Sequence, residues 1–351
     1  MRLRVGIVGL GDQWEARHLP ALRALADRFE VRGICEQVAH RAQRAAAQLG
    51  TAAVDGFRAL TARDDIDAIL HLADQWYGAT PILAACDHGK AVYSAASLPV
   101  DAEAARAIRR RVEGSGIAFM AELPRRYAPA TLRLKELIAT RLGPPKMLFC
   151  HRRAPQAKAR PEDASGENRD LVELVDWCRY VAGVEPTSVV AVRHAEPPGT
   201  ATADYRMMSL DFSTTGRPGD GPLAQVSCGS YMPQTWEEAV GFRPPAALQA
   251  ACEHGIAFVD LPSSLVWFDT AGRHQESLDS ERPVGEQMLV HFHRRVTSLV
   301  RSMSGLDDAL RAIQIVQAGE TSQSEGRRVW LPEEGSSKLA LAARRVPPPS
   351  L

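Results

Sequence analysis

The sequence has no apolar run long enough to cross a membrane, although 45% of its 351 residues are hydrophobic. It also lacks an excess of either charge, since 42 basic residues balance 42 acidic ones. The first absence argues against a membrane-spanning protein. The second removes the electrostatic basis for binding nucleic acid or an acidic membrane surface. We therefore expect a soluble globular chain with neither nucleic acid nor membrane as a partner.

Clustered cysteines are absent as well. The six cysteines stand apart with no CxxC pair, at Cys35, Cys86, Cys150, Cys178, Cys228 and Cys252. Structural zinc needs clustered ligands, so no metal site is predicted. Scattered thiols in a chain of this length are expected to be reduced and buried. Together with an N-terminus that enters a strand pattern without a secretory signal, they favour a cytoplasmic location.

The first 124 residues alternate short apolar runs with helical patterns. The predicted strands are 4–9, 31–35, 67–72, 91–94 and 117–120. Strands that alternate with helices at this spacing form a parallel, doubly wound sheet, which binds ligands beyond the carboxyl ends of its strands. Residues 1–124 are therefore predicted to form an α/β dinucleotide-binding domain of the Rossmann type.

The pattern changes after Pro124. Helices are predicted at 129–142, 172–181, 286–303 and 306–321. Between the second and the third of them lie strand-like segments without intervening helices, which predicts a mostly antiparallel sheet. Residues 125–332 are thus expected to form an α+β substrate and oligomerisation domain with an open-faced sheet, closing a ligand cleft against the first domain. Residues 333–351 are predicted to be a mobile tail.

A glycine-rich turn joins the first predicted strand to the first helix. Gly9 allows the chain to turn tightly, and Gly11 lets a dinucleotide diphosphate approach the backbone at a helix N-terminus. The third small residue of the usual GxGxxG pattern is absent, since Trp14 stands in its place. The residues of this turn assigned to cofactor binding are Gly9, Gly11, Asp12, Gln13 and Trp14.

An acidic residue, Glu36, ends the second predicted strand. A carboxylate in this place accepts hydrogen bonds from both ribose hydroxyls of NAD and repels the 2′-phosphate of NADP. NAD is therefore the expected cofactor, while Arg41 close by leaves NADP open as the alternative. A solvated glutamate at a strand end is the other interpretation of Glu36.

Six segments, taken in order, resemble the glucose–fructose oxidoreductase and inositol dehydrogenase family, often written Gfo/Idh/MocA. They are Val5–Gly11 followed by Arg17–Leu22, Asp65–Ile69, Gly89–Val92, Arg125–Ala130, Asp176–Gly183 and Gly326–Leu331. The likeness covers residues 3 to 332. It implies NAD(P)-dependent hydride transfer on a sugar, polyol or related alcohol, and a homo-oligomer formed through the sheet of the second domain.

The resemblance fails at the family's catalytic residues. The family's E-K-P triplet, whose lysine acts in catalysis, aligns with Ala95, Ala96 and Ser97. Its D-x-x-x-H helix signature aligns with Gly166 and Asp170, and a further family histidine aligns with Gly78. Hydride transfer from an alcohol needs a group that takes the hydroxyl proton, which alanine and glycine cannot do.

The nearest titratable candidates for that proton acceptor are Asp170, Glu173 and Tyr93, and Asp170 is preferred because it replaces the family's histidine on a helix that faces the cleft. The alternative for Asp170 is a helix N-cap ahead of residues 171–175. The loss of the lysine, the aspartate and the histidine also supports a second function: a non-catalytic relative that binds a nucleotide or sugar as a sensor, scaffold or accessory subunit.

The same tripeptide follows two strands of the first domain, as Asp12-Gln13-Trp14 and as Asp74-Gln75-Trp76. Its tryptophans would stack on a ligand, block the nicotinamide pocket, or anchor their loops on the core. The further residues assigned to the cofactor are Ala73, Asp74 and Gln75. Those assigned to the substrate are Trp76, Tyr77, Arg126 and Glu173. Weaker candidates for lining the cleft are Arg125, His151, Arg152 and Arg153.

Overall fold

The structure is a computed structural model. It describes residues 1–73, 77–95, 102–155, 164–195, 204–213, 217, 219–232, 247–298 and 304–332. Asp74, Gln75, Trp76 and Ala96 lie outside the described residues, as does the predicted tail from residue 333.

Five parallel strands form the first sheet, in the order β2-β1-β3-β4-β5. They are β1 (Leu3–Val8), β2 (Phe29–Cys35), β3 (Ala68–His71), β4 (Ala91–Ser94) and β5 (Phe119–Ala121). The inner strands β1, β3 and β4 are mostly apolar and almost completely buried on both faces, as is usual in a parallel sheet, whereas the edge strand β2 carries the half-buried Glu30 and Arg32. The predicted Rossmann-type sheet is confirmed.

Helices from the first part of the chain cover this sheet. They are α1 (Leu19–Ala24), α2 (Ala39–Leu49), α3 (Phe57–Thr61), α4 (Thr80–Asp87) and α5 (Ala102–Ser115). Residues of α1 and α2 pack in one hydrophobic cluster and residues of α3, α4 and α5 in another, so both faces of the sheet are covered. This double winding places the carboxyl ends of all five strands at one edge, where a ligand can reach them.

Nine strands form the second sheet, in the order β13-β12-β11-β10-β6-β9-β8-β7-β14. They are β6 (Pro145–Pro155), β7 (Ser188–Ala195), β8 (Asp204–Asp211), β9 (Leu223–Met232), β10 (Leu248–Cys252), β11 (Gly255–Asp260), β12 (Ser264–Asp269), β13 (Gly272–Ser277) and β14 (Val329–Trp330). Among the described strands of this second sheet, β6 and β9 form the only parallel pair, which confirms a mostly antiparallel sheet.

One face of this sheet is covered by helices, and the other is open. The covering helices include α6 (Pro129–Leu137) and α7 (Ala164–Ala182), whose apolar residues share a cluster with the inward side chains of the strands. The open face carries exposed apolar side chains, which are Met147, Val190, Val192, Leu223 and Phe268. Within the described part of the chain, no helix covers this face of the sheet.

The last two helices return to the first sheet. Helix α8 (Val284–Thr297) adds Met288 and Phe292 to the cluster that contains β1 and β3. Helix α9 (Ser304–Glu325) begins in the cluster beside β5 and continues into the core of the second sheet. Residues 284–310 therefore help to build the core around the first sheet. None of the described helices is both long and apolar enough to cross a bilayer.

Candidate functional site

The glycine-rich turn lies between the carboxyl ends of β1 and β3. Gly9 has a φ of +69° and Gly11 a φ of +58°, a region that side chains other than glycine rarely adopt. A Cβ on Gly11 would lie 2.3 Å from the carbonyl oxygen of Leu72, and one on Gly9 would lie 2.7 Å from the Cβ of Ala73. The structure thus brings Gly9, Gly11 and Ala73 together, as the sequence predicted, and explains why only glycine fits there.

Glu36 lies against this turn. The Leu10 N–H donates a hydrogen bond to its Oε2 over 2.8 Å, and the Gln37 N–H donates to its Oε1 over 3.0 Å. The Gly9 N–H also donates to the carbonyl oxygen of Cys35, which ends β2. The carboxylate is therefore held beside the turn rather than free in solvent, and each oxygen keeps a further lone pair for a hydroxyl donor.

The segment after the turn, Trp14–His18, is a π-helix rather than the expected α-helix. The Gln13 carbonyl oxygen accepts hydrogen bonds from the N–H groups of both Arg17 and His18. The wide turn buries Trp14, which is 4% exposed and shares the apolar cluster of Leu10. This position favours the interpretation of Trp14 as a loop anchor. Its neighbours in the turn, Asp12 and Gln13, are exposed.

Tyr77 lies at the β2 end of the cleft. Its hydroxyl is 3.7 Å from the Sγ of Cys35, and its ring packs edge-on against Phe57. Burial raises the pKa of its phenol, so the group stays protonated. Because Cys35 precedes Glu36, Tyr77 stands on the side of the turn where an adenosine would lie. Its position favours contact with the cofactor over the predicted contact with the substrate.

Tyr93 is completely buried beneath the carboxyl edge of the sheet. Its hydroxyl donates to Glu122 Oε2 over 2.7 Å, and its ring packs against Phe292 of α8. Burial raises the pKa of the phenol well above its ordinary value, and the charge of Glu122 raises it further. A fully enclosed hydroxyl that already donates to a carboxylate cannot contact a substrate, so the geometry speaks against the predicted catalytic role of Tyr93.

Glu122 is a central residue that the sequence analysis missed. Its side chain is 0% exposed and binds Arg17, His18 Nε2 at 2.8 Å, and the Tyr93 hydroxyl. Burial alone would raise the pKa of this carboxyl, but the hydrogen bonds and charges of these partners lower it to about 2. Glu122 thereby ties the end of β5 to the π-helix that follows the glycine turn. A glutamate directly after an apolar strand was the available signal.

Asp170 lies inside α7, six residues after its start, so the N-cap interpretation is wrong. Its carboxylate pairs with Arg152 Nη1, and its side chain is 19% exposed. Burial raises the pKa of Asp170, while the charge of Arg152 opposes the shift. Alternation along β6 points Arg152 to the helix side of the sheet, with His151 and Arg153 on the open side. Of the four cleft candidates, Arg152 forms an ion pair with Asp170.

Glu173 lies one helical turn after Asp170. It contacts Arg125 at 3.2 Å and Arg169 at 3.4 Å. Arg125 belongs to the 3₁₀ turn Pro124–Tyr127, which follows β5 at the carboxyl edge of the first sheet. The first half of α7 therefore faces the edge at which the dinucleotide turn lies, and it places Asp170 and Glu173 at the junction of the two sheets.

Arg126 points into the protein instead. It donates to both carboxylate oxygens of Asp176, and it pairs with Asp308 of α9 at 2.7 Å. Burial raises the pKa of Asp176 to about 6, although Arg126 opposes the shift. These contacts join α7 to α9. Because the guanidinium donors of Arg126 already bind Asp176 and Asp308, the geometry speaks against the predicted role of Arg126 in substrate binding.

Within the described ranges, no group of three or more His, Cys, Asp or Glu side chains is arranged to hold a metal ion.

Sequence comparison places these features in a known family. The family described as "Oxidoreductase family, NAD-binding Rossmann fold" matches residues 3–120. Inositol 2-dehydrogenase 2 of Mycolicibacterium vanbaalenii is 30% identical over 70% of this chain and 72% of its own length. The chain belongs to this oxidoreductase family. Inositol 2-dehydrogenase of Mycolicibacterium gilvum is 27% identical over 75% of this chain and 73% of its own length.

Solved structures share the fold of this oxidoreductase. A putative myo-inositol dehydrogenase from Sinorhizobium meliloti superposes with a TM-score of 0.74 at 20% identity, covering 94% of this chain and 100% of its own. A levoglucosan dehydrogenase, solved with NADH and levoglucosan, superposes with a TM-score of 0.77 at 17% identity, covering 95% and 100%. At such identities the likeness shows the fold alone.

The residues of this oxidoreductase fit NAD. The turn at Gly9 and Gly11 carries no side chain that would keep a diphosphate from the backbone. The Glu36 carboxylate beside it offers acceptors to two ribose hydroxyls, and its charge opposes a 2′-phosphate. NAD is thus the cofactor that both the family and the local chemistry favour.

Proposed function

We propose that this protein transfers a hydride between NAD and a secondary alcohol of a sugar or polyol. The observation that carries the proposal is the glycine turn with the Glu36 carboxylate held against Leu10 N–H. The inositol 2-dehydrogenases that the chain resembles support a polyhydroxylated substrate. When bound, NAD supplies the hydride acceptor at its nicotinamide ring.

Within this proposal, the chain itself has to hold the cofactor and take a proton. The backbone at Gly9 and Gly11 receives the diphosphate, and Glu36 holds the adenosine ribose through its hydroxyls. Asp170 accepts the proton of the substrate hydroxyl at its carboxylate. A pKa raised by burial makes Asp170 a stronger base than an exposed aspartate, and its place on α7 faces the carboxyl edge of the first sheet.

We expect the purified protein to reduce NAD with at least one member of a panel of polyols and sugars. Asp170→Asn should lower kcat by about 100-fold, because general-base catalysis contributes that order of rate. The matched control is Asp260→Asn, which removes an exposed carboxylate at the end of β11. Absorbance of NADH follows the reaction.

The same experiment separates the two functions that the sequence left open. Binding of NAD, measured by calorimetry, with no turnover of any polyol would overturn the proposed reaction and favour the non-catalytic relative. Equal kcat in Asp170→Asn and wild type would assign the proton to another residue.

Glu36 should determine the preference for NAD over NADP. We expect Glu36→Ser to weaken NAD binding by about tenfold and to bring the NADP dissociation constant down to that of NAD, because the variant loses ribose acceptors and a repelling charge. Calorimetric titration measures both constants. Glu30→Ser, near the opposite end of β2, removes an equal charge and should leave them unchanged.

We also propose that copies of this chain associate through the open face of the second sheet. Met147, Val190, Val192, Leu223 and Phe268 are exposed on that face, and Val192 is 57% exposed. An exposed sheet face that carries several apolar side chains is typical of an interface between chains. The cytoplasmic location expected from the scattered, reduced cysteines stays a prediction.

A further inference from the structure

The junction between the two sheets carries an excess of positive charge. Among the described residues, three arginines meet two carboxylates there, namely Arg125, Arg152, Arg169, Asp170 and Glu173. We refer to these five residues as the arginine cluster. Its formal charge is +1, from three guanidinium groups and two carboxylates. Guanidinium groups in excess of their carboxylate partners can bind a further anion.

Arg152 is the most exposed member of the arginine cluster, followed by Arg169, whose side chain is 36% exposed. Among the described residues Arg152 contacts Asp170 through Nη1, and 46% of its side chain is exposed. Arg125, in contrast, is half-buried against Glu173. Arg126, its neighbour in sequence, is matched by the carboxylates of Asp176 and Asp308. The charges of Arg125, Arg152 and Arg169 all act on Asp170, so the surplus charge belongs to the arginine cluster as a whole, and an anion from solvent reaches it most readily at Arg152, beside the proposed proton acceptor.

We propose that the substrate of this oxidoreductase is a polyhydroxylated carboxylate, a uronate or an aldonate, whose carboxylate binds Arg152. This inference rests on the proposed function and narrows its substrate class. A guanidinium presents a planar fork of donors that matches a carboxylate. One negative charge balances the +1 of the arginine cluster, whereas a phosphate monoester at neutral pH would bring close to two.

The geometry also couples substrate binding to the proposed base. A substrate carboxylate at Arg152 competes with Asp170 for the same guanidinium. When a substrate carboxylate binds Arg152, it offsets part of the positive charge that lowers the pKa of Asp170, and the pKa of Asp170 rises. Asp170 then binds a proton more strongly, at the moment when a substrate hydroxyl is present to donate one.

The test uses the full chain and two independent readouts. In the first, calorimetry measures the binding of D-glucuronate, methyl glucoside and glucose 6-phosphate to the protein saturated with NADH. In the second, steady-state kinetics with NAD measures kcat/KM for glucuronate and for glucose. We expect glucuronate to bind at least tenfold more tightly than methyl glucoside. Arg152→Gln should remove that difference, and Arg152→Lys should keep part of it, because a lysine retains the charge without the fork. Arg273→Gln, on the edge strand β13, is the control and should change nothing.

The possible outcomes separate the carboxylate inference from the proposed function. The carboxylate inference would be overturned if glucuronate bound no more tightly than methyl glucoside, or if Arg152→Gln kept the preference for glucuronate. In either case, NAD-dependent turnover of neutral sugars would still support the proposed function. Tighter binding of glucose 6-phosphate than of glucuronate would overturn the carboxylate in favour of a phosphate. If no sugar is oxidised, the proposed function fails, and the calorimetric difference between glucuronate and methyl glucoside still tests the anion site.

Discussion

Gly11→Ala is expected to weaken NAD binding by more than 100-fold and to lower the free energy of unfolding by about 2–4 kcal/mol. The new Cβ would lie 2.3 Å from the carbonyl oxygen of Leu72, and the backbone would keep a φ of +58° that disfavours alanine. Since neither backbone segment can yield without moving the end of β3, the turn itself must shift, and the diphosphate loses its place.

Gly89→Ala is the matched control for this prediction. Gly89 has a φ of +63°, close to that of Gly11, but a Cβ added there meets no atom within 4 Å. It should cost about 1–2 kcal/mol from backbone strain alone and leave NAD affinity unchanged. Urea denaturation and calorimetric titration of both variants give the two quantities. Wild-type NAD affinity in folded Gly11→Ala would show that the diphosphate does not approach this turn.

Glu122→Gln is expected to lower the free energy of unfolding by about 3 kcal/mol at neutral pH. The variant keeps the shape of the side chain but removes the charge that Arg17 and His18 face, and its amide cannot replace both acceptor oxygens. Glu113→Gln, whose partner Arg109 lies four residues earlier on the surface of α5, should cost less than about 0.5 kcal/mol.

The dependence on pH gives the Glu122 prediction a second, independent readout. The pKa of this carboxyl is about 2 in the folded protein against an ordinary value of 4.5, so its stabilisation is complete above pH 4.5 and is lost as the pH falls from there towards 2. The difference in unfolding free energy between wild type and Glu122→Gln should therefore be larger at pH 7 than at pH 3.5. A difference that stays constant over this range would show that the charge of Glu122 is not what stabilises the cluster.

Several parts of the fold follow from local patterns in the sequence. The five parallel strands are short apolar runs between helical patterns, and burial on both faces leaves little room for any other residue type. The strand β13 (Gly272–Ser277) could not be found in this way. It contains no apolar residue in an alternating pattern, because it lies at an edge of the second sheet where its side chains meet solvent.

Helix α7 shows the same limit at its start. The apolar pattern predicts a helix over 172–181, whereas the structure begins it at Ala164. The sequence of its first two turns is rich in charged and small residues and has no apolar period that would predict a helix. The error mattered, because it turned Asp170 from a residue inside the helix into an apparent N-cap.

In the candidate site too, the sequence could place some residues but not others. Glu36 could be placed beside Gly9 and Gly11 because a parallel sheet aligns the ends of neighbouring strands. Tyr93 could not be placed, since its partner Glu122 and the neighbouring Phe292 come from other elements. The direction of Arg126 was equally hidden, because Asp176 and Asp308 lie far along the chain.

The amino-acid order alone settled that a parallel sheet ends in a glycine turn with an acid beside it, since spacing and burial pattern act over a few neighbouring residues. Folding in three dimensions decided which charges meet. It enclosed Glu122 with Arg17 and His18, matched Arg126 with two aspartates, and left Arg152 partly open next to Asp170. Ion pairs depend on distances between side chains that are distant in the chain, and no local pattern encodes those distances.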